Sequence, residues 1–386
     1  MSTDGQAIPG TVTDDVPATN GASVTLTLDL DLQTYVQQQL EQAKANSGAK
    51  SASAVVLDAK TAQVMAMATS DSIDPMGDIK KQLEQGKEFG NSTISAPFEP
   101  GSIIKSFSFA AAIDKGAVTP STVYNNTDCI KVADRTMCNA LRGLNGPISI
   151  QGAFNNSLNV GTITAVRRLG NGSQINLPAR QTLYDYYHDR FGFGQATGIE
   201  LNEAAGYVYP PDSAEGNEVR YSAMTYGQSM NLTMVQVAAG FSSIVNGGQY
   251  YRPAIVGGSV DKNGKIHPSE NKALRQTVSV GTSSQMRGML ATARGSSFLS
   301  KNDKPGYEIG GKTGTSEAVV SGHYSQKETI ATYIGYGGAN RAEYVIMVRV
   351  AAPGRGINLQ GNYHAGPIFT DISNWMIDYM KLAPKG

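Results

Sequence analysis

Apolar positions change their spacing several times along this chain, and each change predicts an element. Residues 24–28 (Val-Thr-Leu-Thr-Leu) alternate like a strand and lead into Asp31-Leu32-Gln33. After that, Leu32, Val36 and Leu40 recur every fourth residue on a Gln-rich stretch, the signature of an amphipathic helix. Residues 53–57 and 63–68 read as two strands joined by a turn at Asp58-Ala59-Lys60-Thr61. A polar stretch over 71–95 reads as loop with a short helix at 76–85. Pro100-Gly101 then feeds an apolar run, 103–113, that predicts a buried helix. Residues 119–147 are rich in turn formers, a helix is predicted from about Ile150, and another over 162–169. Residues 192–206 form a glycine-rich loop, and 233–244 a strongly apolar helix ended by Asn246-Gly247-Gly248. In the last third, 308–315, 329–336 and 344–350 read as strands, and 368–380 as a closing helix that holds the only tryptophan, Trp375. Strands near both chain ends with helices between them predict one antiparallel sheet assembled from both termini and layered by helices, an α/β (α+β) arrangement.

A length of 386 residues with 40% hydrophobic content suits a large single domain with insertions, or two domains. Lys and Arg balance Asp and Glu at 32 each, so nucleic acid and anionic membranes are poor candidate partners. No apolar run reaches the ~18 residues of a bilayer span. The polar segment 1–22 reads as a linker or the remnant of an upstream domain, ahead of one domain over 23–386, and the chain is expected to be the soluble portion of something longer. The two cysteines, Cys129 and Cys138, flank what looks like two short strands around Ala133-Asp134-Arg135. Cross-strand neighbours there can meet disulfide geometry, which would imply an oxidising, extracytoplasmic setting; the alternative is two unpaired thiols. His188, His267, His323 and His364 are scattered without ligand spacing, so neither a metal nor another cofactor is expected.

Three short strings carry the candidate chemistry: Ser102-Ile103-Ile104-Lys105, Ser157-Leu158-Asn159 and Lys312-Thr313-Gly314-Thr315. Each pattern is weak alone. Ser-x-x-Lys also occurs at Ser47 and Ser269, and Ser-x-Asn at Ser229, Ser269 and Ser300. Ser102 differs by its setting, a Pro-Gly turn ahead of an apolar helix. That setting predicts the serine on the first helical turn, where free N–H groups favour negative charge, with Lys105 on the same face. Serine is a poor nucleophile until a base takes its proton. With no well-placed histidine, Lys105 is the available base. Bringing a free lysine from ~10.4 to about 7 requires ~3.4 pH units, or ~4.6 kcal/mol, of desolvation and neighbouring positive charge. Lys312 would supply that second charge if its strand lies beside the Ser102 helix. Ser157 would pass the proton to a leaving amine, and Asn159 would hydrogen-bond Lys105 or a substrate amide. Backbone N–H groups of Ser102 and Thr315 would form an oxyanion hole, one donor of which is worth ~2.7–4 kcal/mol. Lys312, Thr313 and Thr315 would bind a carboxylate. The plain alternatives are a helix-capping serine, a turn and a solvated strand end.

In this order the three strings resemble the transpeptidase domain of the class B (monofunctional) penicillin-binding proteins. The resemblance runs from about Val24 to the C-terminus. Leu26-Thr27-Leu28-Asp29, the Ala54-to-Ala68 hairpin, Phe98-Glu99-Pro100-Gly101-Ser102, Phe191-Gly192-Phe193-Gly194, and Tyr226-Gly227-Gln228 with Asn246-Gly247-Gly248 all look like segments of that branch. The fold it implies is the penicillin-binding-protein/β-lactamase-like one, with a central antiparallel five-stranded sheet flanked by helices plus an all-helical subdomain. The activity it implies is a serine acyl-enzyme D,D-transpeptidase. Ser102 would attack the penultimate D-Ala carbonyl of a peptidoglycan stem peptide, and β-lactams would acylate the same serine. Ser102, Lys105, Ser157, Asn159, Lys312, Thr313, Gly314 and Thr315 carry the family's roles by position. Further implied are an anchor and pedestal in the full-length protein, an extracytoplasmic, membrane-associated location, and cell-wall synthesis or divisome partners. One departure is His364-Ala365-Gly366-Pro367, where the family has Ala-Ala-Pro. The rival readings are a D,D-carboxypeptidase, a β-lactamase or β-lactam sensor, and a catalytically silent cell-wall scaffold. Glu200 is the one tempting base for hydrolysis, but no deacylation motif surrounds it.

Overall fold

The computed structural model describes Thr3, residues 20–320 and residues 323–385. The chain divides into two compact units, one of residues 1–26 with 256–270 and one of 27–255 with 271–386. In the first, Ser23–Leu26 pairs antiparallel with Val256–Val260, which pairs in turn with Ile266–Pro268. Most of the predicted linker over 1–22 lies outside the described residues.

The second unit is built on five antiparallel strands: β1 (Ser51–Asp58), β2 (Val64–Thr69), β3 (Glu308–Val320), β4 (His323–Gly338) and β5 (Tyr344–Ala351). Their order is β3-β4-β5-β1-β2, so the two chain ends meet in the middle of one sheet, at the β5–β1 pair. Six of its helices matter below: α1 (Leu30–Ser47), α2 (Lys105–Asp114), α3 (Asn159–Arg167), α4 (Met234–Val245), α5 (Val280–Gly295) and α6 (Gly366–Tyr379). Successive strand residues point to opposite faces. Ala54, Val56, Ile346 and Val348 therefore pack with Leu32, Val36 and Leu40 of α1 and Phe369 and Ile372 of α6. Val55, Leu57, Val345 and Met347 pack on the other face with Phe107 of α2, Ile163 of α3 and Phe241 of α4. Both faces being covered explains why β1 and β5 read as nearly continuous apolar runs. Each such side chain contributes ~1.5–3 kcal/mol by burial.

Two expectations change. The strands read over 308–315 and 329–336 both run further than expected: Val319 pairs with Tyr324 and Val320 with His323, after an irregularity beyond Glu317. Backbone pairing is indifferent to side-chain polarity, so composition misread this segment. Residues 321–322 lie outside the described residues. Helix α5 was not anticipated, because its Ser, Thr and Gly leave a thin apolar stripe. Burial of Met286, Met289 and Leu290 and a Ser279 cap on the Thr282 N–H hold it. The helical side also carries two short β pieces, Val123–Asn126 with Gly146–Ser149, and Cys129–Val132 with Arg135–Cys138. Among the described residues no helix is long and apolar enough to cross a membrane.

Candidate active site

Ser102 lies on the first helical turn, which is a single 3₁₀ turn, Gly101–Ile104, that runs directly into α2. At three residues per turn, positions i and i+3 eclipse. Lys105 accordingly stands over Ser102, with its Nζ 3.0 Å from the serine Oγ. The same Nζ donates to the Ser157 carbonyl at 2.6 Å and lies 3.0 Å from the Ser157 Oγ. From β3, Lys312 Nζ reaches that hydroxyl at 3.0 Å and donates to the Thr313 carbonyl at 3.1 Å. One hydroxyl thus joins two lysine tips, and the first of these touches the half-exposed Ser102.

Lys105 is fully buried and Lys312 is 4% exposed. Two ammonium groups so placed are costly to keep charged together. Burial first, and then the Lys312 charge, pulls Lys105 well below the ordinary lysine value. Burial brings Lys312 down to about 7. Burial and the Lys312 charge together favour a neutral Lys105 amine against Ser102.

Backbone conformation adjusts each wall. Ser157 has φ of +54°, a left-handed conformation that non-glycine residues rarely adopt and that costs ~1–3 kcal/mol. Its N–H is held by the Phe154 carbonyl at 3.1 Å, and the Leu158 N–H by Ala153 at 2.9 Å. On β3, Lys312 and Gly314 are buried while Thr313 is half-exposed and Thr315 exposed, the period of two that a strand imposes. Being an edge strand, β3 leaves one row of backbone groups without a sheet partner. A Cβ on Gly314 would lie 2.9 Å from the Pro100 carbonyl and 3.0 Å from Ile103 Cγ2, so the absence of a side chain lets β3 lie on the Ser102 turn. Thr332 of β4 donates to the same Pro100 carbonyl at 3.2 Å. Behind the turn, the Gly101 N–H donates to the Gly227 carbonyl at 3.0 Å. Gly227, at φ +85°, meets it so closely that any Cβ would strike the Gly101 backbone. Beside Ser157, Lys312 and Thr313, a cavity of about 400 Å³ extends toward Arg294 and Phe298.

The family profile "Penicillin binding protein transpeptidase domain" matches residues 52–374. The protein named penicillin-binding protein PbpB of Mycolicibacterium smegmatis is 33% identical over 384 residues, covering 97% of this chain and 57% of its own length. PbpB of Mycobacterium tuberculosis is 34% identical over 384 residues, covering 97% and 54%. The crystal structure of penicillin-binding protein 3 from M. tuberculosis complexed with aztreonam superposes at a TM-score of 0.84, with 32% identity, 96% of this chain and 82% of that one. The chain belongs to the class B penicillin-binding proteins, by their transpeptidase domain. It spans little more than half the length of the curated relatives it matches.

Within this penicillin-binding-protein fold, the structure brings Ser102, Lys105, Ser157 and Lys312 together, with Thr313, Gly314 and Thr315 on the adjoining strand. Thr315 Oγ1 accepts the Gly361 N–H at 3.2 Å, which ties the strand to the turn before α6. Asn159 makes no hydrogen bond to Lys105: its Nδ2 donates to the Cys138 carbonyl at 2.9 Å, which leaves contact with a substrate amide as its expected role. Cys129 and Cys138 face each other across their hairpin and form a disulfide. Glu200 is occupied elsewhere, accepting from Arg252 at 3.1 Å and from the Ile255 N–H at 2.9 Å.

Glu99 was quoted above only as motif context. Its buried Oε1 accepts the Ser229 N–H at 2.7 Å and the Tyr324 hydroxyl at 2.6 Å, fastening the entry of the nucleophile turn to β4. Burial pushes its carboxyl above the usual range, against those two bonds and helped by Glu317. Glutamate beside Pro-Gly-Ser was the available signal. Thr332 offered none, since threonine is ordinary in a strand.

Proposed function

We propose that this chain is the acyl-transferring domain of a peptidoglycan D,D-transpeptidase, and that β-lactams acylate it at Ser102. The observation that carries the reading is the contact chain Ser102–Lys105–Ser157–Lys312, closed at 3.0 Å per step between buried lysines. Neutral Lys105 takes the Ser102 proton as Oγ attacks the penultimate D-Ala carbonyl. The Ser102 and Thr315 N–H groups stabilise the resulting oxyanion. Lys312 as ammonium, with Thr313 and Thr315, holds the terminal carboxylate. The proton travels from Lys105 through Ser157 to the leaving nitrogen, the C–N bond breaks, and D-Ala departs. An amine of a second stem peptide then attacks the ester, a new C–N bond forms, and Ser102 regains a proton. With a β-lactam the expelled nitrogen stays tethered, so the acyl-enzyme persists.

Labelling with a fluorescent penicillin tests this. Wild type should carry a denaturation-resistant label that Ser102→Ala lacks. An unlabelled wild type would favour the silent scaffold. Rapid turnover without an adduct would favour a β-lactamase, against which stands the engagement of Glu200 with Arg252 and Ile255. Hydrolysis of stem peptides with no crosslinked product would favour the carboxypeptidase. The same proposal takes 1–22 as a linker ahead of the domain over 23–386. It places the full-length protein outside the cytoplasm, at the cell membrane, with divisome or other cell-wall synthesis partners. The family match over 52–374 falls within the domain so bounded.

A further inference from the structure

Helix α3 opens at Asn159 with Leu158 in the N-cap position, and Leu158 has no side-chain acceptor for the helix's free N–H groups. The acceptor comes from elsewhere in the chain. Asn139 Oδ1 takes the Val160 N–H at 2.9 Å, and the neighbouring Cys138 carbonyl takes Asn159 Nδ2 at 2.9 Å. A single dipeptide, 138–139, therefore holds the first turn of the helix that carries Asn159. Asn139 is itself fixed: it is 1% exposed, its Nδ2 donates to the Thr127 carbonyl at 3.0 Å, and its N–H to the Asp128 carbonyl at 2.8 Å.

Those anchors flank a short hairpin. Cys129–Val132 and Arg135–Cys138 pair only with each other, four residues a side, as a separate two-stranded sheet. A ladder of that size is marginal by itself, and this one is held by the burial of Val132 and Met137 in the core and by its disulfide. The disulfide joins Cys129 and Cys138, a directly opposed pair at the end of the hairpin that touches α3. It narrows the unfolded alternatives of this element where Asn159 depends on it.

We propose that Asn139 is a positioning residue for the acylation reaction and that the Cys129–Cys138 disulfide braces it. The rate at which Ser102 is acylated then depends on a crosslink that touches no reacting atom. The proposal rests on the reading of the site given above. Reduction by a phosphine reagent balances as disulfide plus phosphine plus water giving two thiols and phosphine oxide.

The test measures the second-order acylation constant with a fluorescent penicillin. It compares oxidised wild type, phosphine-reduced wild type, the double variant Cys129→Ser/Cys138→Ser, Asn139→Ala and Asn139→Asp. Reduction, the double variant and Asn139→Ala should each slow acylation roughly tenfold, a part of the ~10² that a 1 Å misplacement can cost. Asn139→Asp keeps the acceptor for Val160 but loses the Nδ2 bond to the Thr127 carbonyl, so it should recover only part of the rate. In an Asn159→Ala background, removing the disulfide should cost nothing further, since its effect runs through that side chain. Equal rates for reduced and oxidised wild type would overturn the proposal. So would an equal loss on removing the disulfide in the Asn159→Ala background, which would mark a merely structural effect. If oxidised wild type takes no label at all, the reading of the site falls, and the hairpin's grip is read from hydrogen exchange of the Val160 amide. That exchange should speed roughly tenfold in the double variant; unchanged exchange sinks the inference independently.

Discussion

The two walls of the cleft are built by different physics. On one side, Lys312 and Gly314 sit on β3, paired along its length with β4 and through it to a five-stranded sheet. On the other, Ser157 and Asn159 sit at a left-handed kink between two short helices. That wall is held by N–H caps, one carbonyl and a disulfide-closed hairpin. A ladder of backbone bonds fixes side-chain direction with little dependence on any one residue, whereas a capped turn depends on each partner. Placing Lys312 on the stiff wall and Ser157 on the adjustable one lets a single hydroxyl meet both lysines.

The largest expected effect comes from removing the amine that links Ser102 to the Ser157 wall. Lys105→Met should lower acylation by ~10²–10⁴, the usual worth of a positioned base, with the fold intact by circular dichroism. An acylation rate near wild type would show that another group takes the Ser102 proton. Next, Gly314→Ala inserts a methyl against the Thr332 hydroxyl, Pro100 and Ile103 and should push β3 off β4 and the Ser102 turn. We expect a loss of about 10² in acylation and roughly 1–3 kcal/mol in stability by denaturant unfolding. A variant that is stable and fully active would contradict the account of the sheet wall.

The pH dependence of the free enzyme's acylation constant should be bell-shaped. The productive form has Lys105 neutral and Lys312 charged. Because Lys312 sits at about 7, activity should fall about tenfold per pH unit above that point. The acid limb belongs to Lys105, which burial and the Lys312 charge pull well below the ordinary lysine value. A profile rising steadily through pH 9 would mean that the Lys312 charge is not needed. The smallest effects compare the walls directly. Thr332→Val removes one donor to the Pro100 carbonyl on the sheet side, and Ser149→Ala removes the cap on the Gly152 N–H of the Ile150–Asn155 helix. Each should cost ~1 kcal/mol by thermal unfolding. Only Ser149→Ala should also slow acylation measurably, by a few-fold; the reverse order would undo the contrast.

Much of this was legible in residue order. The spacing of Leu32, Val36 and Leu40, the strands from both ends of the chain and the serine and lysine strings all appear in the molecule where pattern placed them. What escaped were features created by contact. The direction of the Asn159 amide depends on a carbonyl 21 residues upstream. The anchoring of Glu99 depends on hydroxyl and amide donors 225 and 130 residues away. The length of β3 depends on β4, not on the polarity of its own side chains.

Local sequence alone determined that Ser102 and Lys105 share one face of a turn, because three residues separate them on a helical backbone. It determined the sheet as well, because alternation and burial follow from the order of apolar residues. Only the tertiary structure decided that both lysines lose water and meet at one hydroxyl. Desolvation and charge repulsion are properties of what surrounds a group, and those surroundings come from parts of the chain that no short pattern contains.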